Sequence, residues 1–213
     1  MSATTLSAER RELMTRRLLE AVAENLGQGP SYAELSVARI IAAANIARST
    51  FYAYFPDKGA LLAAIGHDAV SAIIEASRGW STLPPEAGRA ELRAVFEHLV
   101  ATYRGHASVL AAMAEAAPTD PTVRREYQRL AQVGYRELTQ HADAGQQCGT
   151  VRADIEVAGT VRWLVTMVQH GLYHHTRHGD PAAMAGNIDA LTGIVWHSLY
   201  AGAPARPPGA NRD

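Results

Sequence analysis

Ala44-Asn45-Ile46-Ala47-Arg48-Ser49-Thr50-Phe51-Tyr52-Ala53-Tyr54-Phe55-Pro56-Asp57-Lys58 is the stretch on which the fold turns. Asn45-Ile46 separates a short apolar segment, Val37 to Ala44, from a second short segment, Ala47 to Tyr54, which ends at Phe55-Pro56. Val37, Ile40, Ile41 and Ala44 fall on one helical face, and Ser36 stands where an N-cap acceptor is wanted. Two brief helices with a tight turn between them predict a helix-turn-helix. A helix that enters the major groove must be short, pack its own apolar side inward and offer polar side chains outward. Phe51 and Phe55, four apart, suit the core; Arg48, Ser49, Thr50, Tyr52 and Tyr54 remain for a nucleic acid.

Upstream, Leu19, Val22, Ala23 and Leu26 follow helical spacing and predict an amphipathic helix from about Ala8, ending at Gly27-Gln28-Gly29-Pro30. Downstream, Asp57 can cap a helix whose stripe is Leu62, Ile65, Ala69, Ala72, Ile73 and Ala76, broken near Trp80. Further helices are expected at roughly 87 to 104, 106 to 116, 120 to 145, 154 to 177 and 181 to 201. Breaks are expected at Gly105, Pro118, Gly145 to Gly149, and Gly179-Asp180-Pro181. The reading is an all-α chain of about nine helices. It has a three-helix head over residues 1–57, a helical ligand-binding and dimerisation body over 58–202, and a disordered tail over 203–213.

Composition agrees: 47% hydrophobic and 19% charged residues with few aromatics favour packed helices over a disordered chain. A net charge of −1 gives no global pull on a polyanion, so a nucleic-acid site must be local. The acid-free segment Ala38 to Phe55, with Arg39 and Arg48, supplies a modest basic face. A single cysteine, Cys148, allows no internal disulfide, and Glu9-Arg10-Arg11-Glu12 stand where a secretion signal needs apolar residues, which points to the cytoplasm. His67, Asp68 and Glu75 interrupt the most apolar segment, so no membrane span is expected.

The quoted stretch resembles the head of the TetR family of bacterial regulators, over about Met14 to Ile65, and the Phe-Tyr-x-Tyr-Phe-Pro-x-Lys form looks closest to its ethionamide-regulator branch. Asn45 stands where the family has a turn Gly, and Asn enters the left-handed region more readily than most residues. Ala47 stands where the family has an N-cap Ser, losing an acceptor worth about 1 kcal/mol. The resemblance implies phosphate contacts by Ser36, Thr50, Tyr52, Tyr54 and Lys58, and base-edge contacts by Arg48 and Ser49. For Tyr52 and Tyr54 the competing reading is packing. Arg16 and Arg17 lie on the polar side of the first helix, for backbone contact or for pairing with Glu12, Glu20 or Glu24.

The resemblance further implies double-stranded operator DNA as partner, a small-molecule effector of unspecified identity, and a homodimer through the last two helices. Segment 154 to 177 has the two apolar stripes such a role needs. One is Val161, Leu164, Val165, Val168 and Leu172; the other is Trp163, Met167, His170 and His174. The last helix adds Ile188, Leu191, Ile194, Val195 and Leu199. Pocket candidates are Phe96, Tyr103, Met113, Tyr127, Trp163, Met167, His170 and Trp196, each also readable as core.

No phosphate-binding glycine motif, nucleophile elbow or His-Glu-x-x-His site occurs, so no catalytic role and no cofactor are expected. His170, His174, His175 and His178 contain i, i+4 pairs, and a metal-dependent helical enzyme is the alternative they leave open. A transcriptional activator would share every residue of the regulator reading.

Overall fold

In the computed structural model, residues 14, 16–18, 20–22, 32 and 34–202 are described, and among them the regular structure is helical with no strand. Helix α1 runs through the described positions of 14–22. It is followed by α2 (Val37–Ala43), α3 (Arg48–Tyr54), α4 (Lys58–Ser81), α5 (Arg89–Gly105) and α6 (Ala107–Ala116). The chain continues through α7 (Pro121–Cys148) and α8 (Val157–His178) to a short 3-10 turn, Pro181–Ala183, and α9 (Met184–Leu199). The expected all-α architecture is what is found. Residues Glu9 to Glu12, the stop at Gly27–Pro30 and the tail from 203 lie outside the described residues.

The chain forms two compact units. One takes the residues up to Ser71 together with His106–Arg129; the other takes Ala72–Gly105 and the residues from Leu130 on. The first unit runs past the expected head boundary at residue 57 to Ser71, and α6 and the start of α7 belong to it as well.

In that first unit α1 buries Leu18, Ala21 and Val22. Of the expected stripe, Val22 is buried, whereas Leu19, Ala23 and Leu26 lie outside the described residues. Ile40 of α2, Phe51 and Phe55 around α3, and Leu61, Leu62 and Ile65 of α4 complete the core under the turn. Asp57 Oδ1 accepts from Ala60 N at 2.7 Å, the cap the sequence predicted for α4. Gly59 follows because the space beside it is taken: a β-carbon there would lie 1.7 Å from Oδ2 of Asp120. That Asp caps α7 by accepting from Thr122 N and Val123 N.

One sequence expectation needs correction. The break at Gly145 to Gly149 starts later: α7 continues to Cys148, which is therefore its last residue and not part of a loop. Gly149, at φ 79°, ends it, because a left-handed φ is cheap only without a β-carbon. No segment is expected to span a membrane. By length and composition α4 is apolar enough to cross one, with mean hydropathy 1.4 over its best window, since its Ala, Ile and Leu residues outweigh His67, Asp68 and Glu75. Half of that window is buried, as in a helix of a protein core.

In the second unit α8 begins under a strong cap, Glu156 accepting from Ala158 N at 2.9 Å and Gly159 N at 2.6 Å. Val161, Leu164, Val168 and Leu172 of α8 are buried, as are Ile188, Val195 and Leu199 of α9.

Candidate nucleic-acid interface and a cavity in the second unit

The turn between α2 and α3 is closed by Asn45 at φ 50°, the one non-glycine residue with positive φ among the described residues. Asn tolerates that conformation because its short polar side chain interacts locally with the backbone. The backbone N–H groups of Ala44, Asn45 and Ile46 donate to Ile40 O, Ala42 O and Ile41 O, so the tight turn leaves few orphan groups. Ala47 flanks α3 with extended backbone and no side-chain cap, as its lack of an acceptor requires. What holds α3 is therefore beneath it: Phe51 is fully buried, with ring centroids 5.2 Å from Tyr52 and 6.0 Å from Phe55.

Burying Phe51 turns the opposite face outward. Arg48, Ser49 and Tyr52 are exposed, Tyr52 by 43%, while Thr50 and Tyr54 are half-buried. The Arg48 guanidinium lies 5.3 Å from the Tyr52 ring centre, with Nη2 3.5 Å from the hydroxyl. Stacking of this kind limits the rotamers of a long side chain. On α2, exposed Ser36 accepts from Arg39 N at 3.2 Å, which leaves its hydroxyl hydrogen to be donated elsewhere.

Lys58 is placed differently from its expected partners. Its Nζ donates to Tyr32 O at 2.8 Å and Leu35 O at 3.1 Å and lies 4.9 Å from the Tyr32 ring centre. The Tyr32 hydroxyl returns a bond to Lys58 O at 2.7 Å. This clamp ties the start of α4 to the segment before α2. Partial burial pulls the Lys58 ammonium below its ordinary pKa, and burial, aided by Asp120 and Asp57, pushes the Tyr32 phenol well above its own. Sequence reading missed Tyr32, which belongs to no periodic stripe. Arg39, noted in the sequence only for its charge, proves to be exposed in the first turn of α2.

The second unit contains a cavity of about 60 Å³ walled by Trp80, Leu99, Tyr103, Leu138, Val168 and Leu172 among others. Of the sequence candidates, Tyr103 lines it and Phe96 backs it, edge-on to Trp80 at 5.3 Å. Met167 lines a separate hollow along α8 and α9. Met113 is fully buried and, with Tyr127, belongs to the first unit; Trp196 stacks on Tyr200 at 5.2 Å. Trp163 is 76% exposed, and His170, also exposed, shares a hydrogen bond with Thr166 O. The sequence missed a buried relay beside the cavity. Trp80 Nε1 donates to Tyr200 Oη at 3.1 Å, and the Tyr200 hydroxyl lies 3.0 Å from His141 Nε2. The Tyr200 hydroxyl thus accepts from the indole and shares a second hydrogen bond with His141, whose direction the imidazole tautomer sets. Burial raises the Tyr200 pKa to about 12, and burial lowers that of His141 against a hydrogen bond with the Ser81 backbone. Among the described residues no group of three His, Cys, Asp or Glu is arranged to hold a metal.

Residues 19–65 match the family model described as bacterial regulatory proteins, tetR family. No curated protein matches the chain. Similar solved structures include a TetR transcription regulator from Haloarcula marismortui, at 17% identity and TM-score 0.69 over 89% of this chain and 99% of that one. A TetR-family regulator from Mesorhizobium loti shares 17% identity at TM-score 0.66, covering 90% and 98%. A TetR-family regulator named PfmR from Thermus thermophilus shares 18% at 0.66, covering 85% and 97%. The chain therefore has the fold of these regulators, and its residues 19–65 are similar to the family's N-terminal model.

Proposed function

We propose that this chain is a TetR-type transcription regulator that binds a palindromic operator as a homodimer and leaves it when a small molecule enters the body. The observation that carries the reading is α3: a seven-residue helix anchored by Phe51, turned by Asn45, and showing Arg48, Ser49 and Tyr52 to solvent. Arg48 reads base edges, since a guanidinium can pair with guanine through two hydrogen bonds. Ser36, Thr50, Tyr52 and Tyr54 hold phosphates; Lys58 orders the head from within, and its expected phosphate contact would come in addition. The likeness to the ethionamide-regulator branch rests on Phe51-Tyr52 and Tyr54-Phe55-Pro56 with Lys58.

A dimer is supported by the apolar side chains left outside on α8 and α9, Trp163 and Ile194, the latter 49% exposed. A twofold axis there would repeat the recognition helix and match a palindrome. The effector acts by binding one head spacing more tightly than the other.

The test is binding to DNA fragments selected by the wild-type protein, at fixed salt. Arg48→Ala is expected to weaken specific binding by about 1–3 kcal/mol and to relax the preference for guanine at one position. Tyr52→Ala is expected to weaken it on all sequences. Unchanged specific affinity in both variants would overturn the regulator reading.

A further inference from the structure

The cavity in the second unit is apolar except for a few groups, and Ser77, Ser81 and Glu137 among them present acceptors. Ser77 Oγ donates its hydrogen to Ile74 O at 2.7 Å and Ser81 Oγ donates to Arg78 O at 3.3 Å, so each hydroxyl faces the cavity as an acceptor. The Trp80 N–H is engaged by Tyr200, leaving the indole ring carbons. Glu137 lines the cavity with its side chain 22% exposed. Among the described residues its carboxylate has one partner, Arg78 Nε at 3.6 Å, beyond hydrogen-bond distance. Arg78 is held more closely by Glu75, at 2.6 Å. Gln169 lines the same cavity, and its amide has no partner among the described residues.

A carboxylate whose nearest cation stands 3.6 Å away can accept a closer one, and acceptors on a cavity wall are matched by a ligand that carries donors. An ammonium group carries three donors and the opposite charge, and the rings of Trp80 and Tyr103 add a favourable surface for a cation. A carboxylate ligand would meet Glu137 as a like charge.

We infer that the cavity takes an apolar amine: a hydrocarbon or aryl body against Leu99, Leu138, Val168 and Leu172, and one protonated nitrogen held by the Glu137 carboxylate and the Gln169 amide oxygen. The inference deepens the effector part of the proposed function and rests on that reading only for the consequence on DNA. Glu137 and Gln169 are binding residues here, and Arg78 is the group that an arriving cation relieves of Glu137.

The full chain is titrated calorimetrically at neutral pH with three probes of one skeleton: 2-phenylethylamine, 2-phenylethanol and phenylacetate. The amine is expected to bind about tenfold or more tightly than phenylacetate and more tightly than the alcohol. Glu137→Gln is expected to bring the amine to the level of the alcohol while the alcohol binds as before, which also shows that the cavity is intact. Phenylacetate binding as well as the amine, no binding of any probe, or an unchanged preference in Glu137→Gln would each overturn the inference. If Glu137→Gln does not fold, the wild-type ranking alone decides. Amine binding that leaves affinity for the selected DNA unchanged supports the ligand class and removes the effector role. Loss of sequence-specific DNA binding by the wild-type protein removes the regulator reading without touching the cavity.

Discussion

The head and the body treat their polar groups in opposite ways. In the head the internal ones are satisfied: the Lys58 ammonium and the Tyr32 hydroxyl are bonded to backbone carbonyls, and the polar groups proposed to work stand outside on α3. In the body the buried relay of Trp80, Tyr200 and His141 is likewise satisfied, yet Glu137 and Gln169 line the cavity without a hydrogen bond among the described residues. Satisfied interiors position; unsatisfied groups mark where a partner belongs. The head should therefore separate stability from binding residue by residue, and the body should not.

The sharpest way to break that contrast is to exchange a buried anchor and the proposed reader on the same helix. Phe51→Ala removes a fully buried ring and is expected to cost about 3–5 kcal/mol in urea unfolding of the head. Arg48→Ala is expected to stay within about 0.5 kcal/mol by the same measurement, because its side chain is exposed. Comparable destabilisation by both would end the distinction between anchor and reader.

A smaller effect sharpens the account of the turn. Asn45→Val places a branched side chain at φ 50° and is expected to lower stability by about 1–2 kcal/mol or slightly more, while Asn45→Gly should be near neutral. Thermal denaturation of the two variants checks this; equal losses would mean that the Asn side chain, not its φ, matters.

The smallest effect is a pH dependence in the body. Burial lowers the His141 pKa in the folded state, so the unfolded chain takes up a proton first as pH falls. Stability from this group is fully present above the unfolded value of about 6.5 and is lost as pH drops from there toward the depressed folded value. Chemical denaturation between neutral pH and mild acid should show the loss, and His141→Gln should lack that component. A wild-type profile flat across this window would contradict the buried relay.

Much of the head was legible in the sequence because its rules are local. The bounds of α2 and α3, the Ser36 and Asp57 caps, the left-handed Asn45 and the inward Phe51 and Phe55 follow from spacing, turn chemistry and side-chain volume within a few residues. The body was legible only as helices. Spacing gave α8 two apolar stripes but could not say which faces inward; packing buries Val161, Leu164, Val168 and Leu172 and leaves Trp163 outside. Gly145 read as a break, yet hydrogen bonding carries α7 past it to Cys148.

The sequence by itself determined the helical class and the helix-turn-helix, since periodicity and a turn residue act through neighbours along the chain. Tertiary structure alone decided the Tyr32–Lys58 clamp across 26 residues, the Trp80–Tyr200 bond across 120, and the meeting of Glu137 with Gln169 in one cavity. These depend on which helices pack together, and a buried polar group finds its partner, or goes without one, only after that packing is set.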